Sequence, residues 1–488
     1  MLSLRLALSD LEPSIQDNAQ RAIFRDGYIV PFQSPQIQLS LKRRPDAYTF
    51  WVGEGDDPHS SQVTVHEDSY RKFEPYSGVA ILVNPDARQV RIARTVTGTF
   101  PLFITLQGDR ITASWKFEEV ARAIPCLRVN VDACRLFLDQ GDAAVRDQIL
   151  EGVSMIWPGE SVMIDSTGMR FKQSDPVEIV LPSTFADGAK ATEAFLDLIS
   201  EVLAPSIERS EEPLMELSGG LDSSCVAIAA SRIRTPLQSY GLLHDGISGR
   251  QQKARRDEII GLLSLVDNAY PSYETSPFNC LREVGECQNT MYDDAYRLAF
   301  MKAIDSHPVH NIDLLISGIG GDELTMTNTY VRQDWEVESR VCQSSIVAAV
   351  GRADVFMRRG IWPVHPLVHP WIVDFCRALP QAIRSKRLLH VLTLARAGLS
   401  DGFLFPSHKE NFGKVILRDA WLTDFEDIFA DSVIADMKIA RVDVLLQQAR
   451  EEGSWISIET LGRLFSYAKL DAVLKKHLGR TANHLSSA

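Results

Sequence analysis

Apolar residues along this chain follow two rhythms. In the first part they form short runs or alternate with polar residues, each run closed by a turn. Gly78-Val79-Ala80-Ile81-Leu82-Val83 stops at Asn84-Pro85-Asp86, and Val90-Arg91-Ile92-Ala93-Arg94 alternates like a half-buried strand. Thr97-Gly98-Thr99-Phe100-Pro101-Leu102-Phe103-Ile104 reads as a glycine turn into another strand. Gly108-Asp109 makes a hairpin before Ile111–Ser114, and Trp157-Pro158-Gly159-Glu160 a tight turn between two more strands. Strands and turns at this spacing predict stacked antiparallel sheets from Met1 to about Val177.

The rhythm changes after a polar stretch at Pro182–Gly188, which divides the chain into residues 1–183 and 184–488. Ala194, Phe195, Leu198, Ile199, Val202 and Leu203 recur at helical spacing and predict a helix over 191–207. Pro213–Glu216, Leu237–Leu243 and Ile312–Ser317 read as strands separated by helical stretches. That order predicts a parallel, doubly wound sheet with its ligand at the carboxyl ends of the strands. Helical signals dominate from Trp335 onward, and the fold class is α/β.

The composition narrows the partners. With 488 residues, 45% hydrophobic and 24% charged, the chain has the balance of a soluble globular protein of two or three domains. A formal net charge of −13 argues against nucleic acid as partner, while Lys253, Arg255 and Arg256 leave room for a local positive cluster. No apolar run approaches a membrane span, and the first twenty residues lack the apolar core of a signal peptide. The seven cysteines form no CxxC pair, which leaves a reduced, cytoplasmic compartment as the simplest expectation.

The stretch with the most chemistry is Glu216-Leu217-Ser218-Gly219-Gly220-Leu221-Asp222-Ser223-Ser224, between a strand and the small apolar run Cys225–Ala230. An isolated Ser-Gly-Gly is ordinary turn chemistry. In a strand–loop–helix context, glycines let phosphate oxygens approach the backbone, and hydroxyls with N–H groups at a helix start form an anion nest. No Gly-Lys-Ser/Thr follows, so this is not a Walker loop. Asp222 beside phosphate requires an intervening divalent cation. A second loop, Ser317-Gly318-Ile319-Gly320-Gly321-Asp322-Glu323, follows another apolar strand; its acids also suit a helix start.

The first loop resembles the SGGxDSS loop of the ATP-dependent amide-forming enzymes: asparagine synthetase, β-lactam synthetase and the lasso-peptide cyclases. The second resembles their SGxGxDE motif. Pro406-Ser407-His408-Lys409-Glu410-Asn411-Phe412-Gly413 resembles the loop whose lysine reaches the activated carboxyl, with Lys414 as the competing choice. The resemblance implies ATP and Mg²⁺ as cofactors. It implies nucleotide binding by Ser218, Gly219, Gly220, Asp222, Ser223, Ser224, Gly318 and Gly320, with Asp222 and Asp322 as metal ligands. Lys409 and Glu323 are implied as catalytic. Acids near Arg255-Arg256-Asp257-Glu258 begin a helix near the nucleotide in relatives, or simply cap one, and either Asp293 or Asp294 stands where relatives carry an aspartate near the substrate.

The amino-terminal half resembles the family's glutaminase domain more loosely, through Ala93–Leu102, Ala113-Ser114 and Pro158-Gly159-Glu160. The resemblance thus implies a degenerate Ntn-glutaminase-like antiparallel β-sandwich (1–183), then an ATP-pyrophosphatase (synthetase) domain (184–488) with a helical carboxyl-terminal part. Where the family's glutaminases carry their cysteine nucleophile this chain has Leu2, so ammonia release from glutamine is not expected. Where relatives read PLLD, this chain has Pro366-Leu367-Val368-His369, and His365 and His369 serve either as bases or as structural groups at a helix start. The expected reaction is carboxylate adenylation followed by displacement of AMP by the substrate's own amine, as in lasso-peptide macrolactam closure. A precursor peptide, a leader peptidase, a leader-binding protein and a closing loop near Lys409 are then expected. A β-lactam-type cyclase, an ammonia-dependent amidating enzyme and a non-catalytic ATP-binding scaffold are the alternatives.

Overall fold

Among the described residues, thirteen strands come from the amino-terminal part, and every pairing among them is antiparallel. The computed structural model describes residues 1–14, 20–54, 77–140, 144–173, 188–275, 277–278, 281, 289–325, 341–408, 412–453 and 456–485. The strands are β1 (Leu2–Ala7), β2 (Pro13–Ser14), β3 (Ala22–Phe24), β4 (Gly27–Pro31), β5 (Ile37–Arg43), β6 (Tyr48–Glu54), β7 (Gly78–Asn84), β8 (Gln89–Arg94), β9 (Phe103–Gln107), β10 (Arg110–Ser114), β11 (Val153–Met155), β12 (Glu160–Asp165) and β13 (Gly168–Gln173). They form a seven-stranded sheet, β11-β9-β10-β1-β4-β3-β2, and a six-stranded sheet, β13-β12-β8-β7-β6-β5. The sheets meet through their apolar faces, for example Phe24 on β3 against Phe50 on β6 with ring centroids 5.9 Å apart. The Trp157–Glu160 turn lies between β11 and β12 as its sequence predicts, with Gly159 at φ +79°. Two short helices, α1 (Phe117–Ala121) and α2 (Val131–Gln140), were not expected from the strand-like pattern.

The boundary expected at 183/184 falls within residues 174–187, outside the described residues. Helix α3 (Gly188–Arg209) follows, longer than the expected 191–207. Ala191, Phe195, Ile199, Leu203 and Ile207, four apart, are almost fully buried along one face. Next come β14 (Pro213–Glu216), α4 (Leu221–Ser231), β15 (Gln238–Leu243), α5 (Gly246–Leu263), β16 (Val266–Pro271), β17 (Leu314–Ile316) and β18 (Trp362–Val364). All five strands are parallel, in the order β16-β15-β14-β17-β18. The strand order reverses beside the first strand, β14, so the crevice of a doubly wound sheet opens between β14 and β17. Both Gly/Ser/Asp loops leave from the carboxyl ends of those two strands. The remaining carboxyl-terminal elements are helical apart from β18, which interrupts the run expected from Trp335. Among the described residues no helix is long and apolar enough to cross a membrane.

The two parts share a continuous core. Trp362 on β18 lies 5.9 Å from the rings of both Phe32 and Phe100, and its Nε1 donates to Glu54 Oε1 at 2.5 Å. Gln36 Nε2 donates to Ser206 O on α3 at 2.9 Å. A chain of charges also crosses the junction. Arg358 contacts Glu118 on α1 at 2.9 Å and Asp354 at 2.8 Å, and Asp354 in turn holds Arg297 at 2.7 Å. Replacing Arg358 leaves two largely buried carboxylates short of a counter-charge. Arg358→Ala should lower the thermal midpoint by about 3–5 °C, measured by calorimetry, with Arg358→Lys recovering part of the loss.

Candidate functional site

The first loop is a small hydrogen-bonded cage. Ser218 N donates to Ser223 Oγ at 3.2 Å, the two hydroxyls lie 3.0 Å apart, and Gly220 N donates to Ser218 Oγ at 3.1 Å. Ser224 Oγ donates to Gly220 O at 2.7 Å. Gly219 stands at φ +82°, where a β-carbon would lie 3.0 Å from Arg256 Cγ and 3.3 Å from Gln252 O on α5. The first helical hydrogen bond of α4 runs from Ser224 N to Gly220 O at 3.3 Å, so the N–H groups of Leu221, Asp222 and Ser223 precede the helical ladder. Beyond them Cys225–Ala230 is buried, and burial pushes the Cys225 thiol well above its ordinary range, an inert packing group.

The second loop is seated directly on the first. A β-carbon on Gly318 would lie 2.6 Å from Ser223 N, and one on Gly321 would lie 2.2 Å from Asp222 Cγ. The absent side chains let Asp222 and Asp322, one hundred positions apart, face a common point. Gly320, at φ +95°, turns the loop against Val368. Glu323 points elsewhere: its Oε1 accepts from Ser344 Oγ at 2.7 Å, in the first turn of the helix Gln343–Met357.

Between the two aspartates stands Arg387. Its Nη2 donates to Asp222 Oδ1, and its Nη1 lies 2.8 Å from Asp322 Oδ1. Burial pushes the Asp222 carboxyl up from its ordinary range, and the Arg387 cation pulls it back. His390 Nε2 lies 3.4 Å from the same oxygen, but burial and then Arg387 push its imidazole down to about 3, so it stays neutral. Sequence reading missed Arg387, since Ser385-Lys386-Arg387 looks like a solvated basic run. Among the described residues no group of three or more His, Cys, Asp or Glu gathers to hold a metal ion. Two carboxylates on neighbouring loops are nevertheless a suitable donor set for Mg²⁺ completed by phosphate oxygens, provided that Arg387 yields its place.

Several expected roles change. Arg255–Glu258 do not begin a helix; α5 starts at Gly246, nine residues before Arg255. The helical pattern is hidden because its buried face carries Gln252, Arg255 and Arg256 with Ile259. Gln252 bonds Ser218 O at 3.0 Å, Leu242 O at 2.9 Å and His244 N at 2.9 Å, fastening the loop to the ends of β14 and β15. Nor is there a basic patch here: Arg256 is buried against Asp267, Arg255 lies over the Phe403 ring, and Lys253 pairs with Asp257. Asp293 is buried and accepts from Asn289 N at 2.6 Å, whereas Asp294 bonds Tyr296 N at 2.7 Å and Arg352 Nε at 3.2 Å. Arg352 also clasps Glu216, at the end of β14, through contacts of 2.7 and 2.9 Å.

Both histidines of the divergent stretch are structural. His369 Nδ1 accepts from Trp371 N at 3.2 Å and caps the helix Pro370–Ala378. His365 Nδ1 lies 2.7 Å from Ser317 Oγ and anchors the start of the second loop. Lys409 and the closing loop expected around it lie outside the described residues, as does the Lys414 side chain. The flanks of that segment are tied to the rim of the sheet. Gln251 on α5 bonds Ser407 Oγ at 3.0 Å and His408 N at 2.7 Å, and beyond it Arg418 reaches Asp245 at 2.7 Å.

No known family profile and no curated protein matches this chain. Among solved structures it is similar to an NMN synthetase from Francisella tularensis, at 14% identity and a TM-score of 0.23, over 58% of this chain and 94% of that one. It is similar to the allosteric regulatory enzyme of purine biosynthesis at 10% identity and 0.20, over 52% and 68%. A glutamine phosphoribosylpyrophosphate amidotransferase from B. subtilis, complexed with ADP and GMP, gives 10% identity and 0.19, over 62% and 64%.

Burial, reinforced by the Arg352 charge, depresses the His365 imidazole from 6.5 to about 3. The folded state therefore binds fewer protons than the unfolded chain between those values, and stability falls as pH drops through that window. The thermal midpoint of His365→Asn should decline less steeply than wild type between pH 6.5 and about 3, by up to about one proton's worth of slope.

Proposed function

We propose that the protein is an ATP-dependent amide-forming enzyme that closes a linear peptide into a macrolactam, joining its N-terminal amine to an Asp or Glu side chain. The observation that carries the nucleotide half of this reading is the seating of Gly318 and Gly321 against Ser223 and Asp222. It joins a phosphate-type nest at the start of α4 to a second carboxylate at the sheet's switch point. Mg²⁺, held by Asp222 and Asp322, would neutralise charge on the pyrophosphate portion of ATP.

The chemistry balances in two displacements. A carboxylate oxygen attacks the α-phosphorus, the bond to the bridging oxygen breaks, and pyrophosphate leaves. The amine then attacks the acyl carbon, the bond to the AMP oxygen breaks, and the amine gives up a proton. Ser218, Ser223 and the first N–H groups of α4 hold phosphate oxygens. Lys409 is assigned to the charge that develops on the acyl oxygen and on departing AMP, where a fixed cation favours the transition state over the ground state.

The choice of a substrate amine over ammonia rests on the amino-terminal domain. Leu2 supplies only buried hydrocarbon to β1. The buried Arg94 is spent on the carbonyls of Ile156, Gly98 and Phe100, fixing the turn after β8. This domain acts as a scaffold. A precursor peptide is the substrate, and a leader peptidase and a leader-binding protein are the proposed partners.

The test is incubation with Mg·ATP and linear peptides bearing a free amine and an internal Asp or Glu, with and without those two partners. AMP, pyrophosphate and a product lighter by one water, without ammonium, are expected. Turnover confined to aspartate or β-amino acids would overturn peptide closure, and the absence of AMP in every arm would favour a binding scaffold. Asp222→Ala and Asp322→Ala should each cut AMP formation about a hundredfold or more. Lys409→Ala should lower kcat by about a hundredfold.

A further inference from the structure

We propose that Arg387 is the built-in counter-cation of this site. It holds Asp222 and Asp322 together in the absence of nucleotide, competes with a divalent cation for them, and passes to the phosphates of ATP when that cation takes its place. The phosphate part of this inference rests on the ATP-dependent reading above; the competition does not.

The geometry is that of a bridge. One guanidinium nitrogen serves Asp222 and the other serves Asp322, so a single planar fork joins two loops that leave different strands. Nε is buried and without a hydrogen-bond partner, and each Nη carries a second N–H, so the fork retains bonding capacity for an incoming oxyanion. Among the described residues, the groups packed against the pair add no further positive charge. His390 is buried against the edge of Phe195, with neither ring nitrogen hydrogen-bonded, and Glu323 adds a further negative charge nearby. Among the described residues, two aspartates and one arginine leave this cluster net negative and receptive to a second cation.

The backbone under Arg387 is consistent with a residue that moves. Lys386 and Arg387 both adopt left-handed conformations, at φ 52° and 61°, immediately before the helix Leu388–Arg396. L-residues avoid that region, and two in succession require something to hold them. The contacts from Arg387 to the two carboxylates are that restraint, and releasing them lets the segment relax toward the helix.

An exchange follows from these contacts. A divalent cation arriving alone must break two charge-assisted hydrogen bonds and strand the guanidinium. Arriving with ATP, it brings phosphate oxygens that accept the same donors. Metal binding should therefore be weak alone and strengthened by nucleotide.

The experiment uses the full chain and Mn²⁺ followed by electron paramagnetic resonance, alone and with α,β-methylene-ATP, which resists cleavage between the α- and β-phosphates. Arg387→Gln should bind Mn²⁺ alone about tenfold or more tightly than wild type, with Arg387→Lys in between, since an ammonium keeps the charge but cannot bridge both carboxylates. Wild type should gain Mn²⁺ affinity when the analogue is added, while Arg387→Gln gains less and binds the analogue more weakly. Mn²⁺ affinity that is unchanged or weaker in both variants would overturn the competition. Equal analogue binding by wild type and Arg387→Gln would overturn the phosphate role and leave the enzyme reading standing. A tightened Mn²⁺ site with no analogue bound by any variant would overturn the enzyme reading and the phosphate role, but not the competition.

Discussion

The contact on which the site depends is made by atoms that are missing. Gly318 and Gly321 bring the second loop against the backbone of Ser223 and the carboxylate of Asp222 at distances that no β-carbon would permit. That approach is possible because β14 and β17 are hydrogen-bonded neighbours in a parallel sheet, so their carboxyl ends open on the same side. The sheet fixes the spacing of the loops, the glycines close it, and the two carboxylates meet as a result. Gln252 from below and Arg352 on Glu216 then fasten the base of the first loop from two directions. The first loop and the start of α4 are thus built on rigid elements, which fixes the positions of their hydroxyls and free N–H groups.

Legibility in the sequence followed the range of the interactions. The Gly/Ser/Asp loops are readable because strand, loop and helix are contiguous, and a few neighbouring residues define the geometry. The strands at Gly78–Asn84 and Gln89–Arg94 are readable because their partners lie one turn away. Helix α5 reaches further back than its apolar run shows because its buried face uses polar side chains, engaged by groups that local periodicity does not register. Arg387 was invisible for the same reason: its first partner, Asp222, lies 165 residues back along the chain. The roles of His365 and His369 were left open because a titrating base and a buried anchor are the same residue in a sequence, and only the 2.7 Å contact to Ser317 and the cap on Trp371 distinguish them.

Electrostatics in the carboxyl-terminal half falls into two layers. Near the surface of the crevice, Asp222, Asp322 and Arg387 form a small cluster with exposed edges, whose balance an incoming ion can alter. Deeper in the protein, Arg297, Asp354, Arg358 and Glu118 form a buried lattice in which carboxylates outside this cluster also take part. Asp293 belongs to that lattice through Arg297 and not to the crevice. This separation keeps the fold's charge balance largely independent of whatever occupies the site.

The junction between the two parts makes the amino-terminal sheets part of the support of the parallel sheet. Trp362, on the edge strand of the parallel sheet, is covered by Phe32 and Phe100 from the other domain, and Arg358 finds one of its two carboxylates there. Cut away, the sandwich would leave behind an apolar edge and an imbalance of charge beside the parallel sheet. The amino-terminal sheets therefore serve as a wall of the parallel sheet, so that a change at Phe32 or Phe100 is felt at the edge strand that carries Trp362.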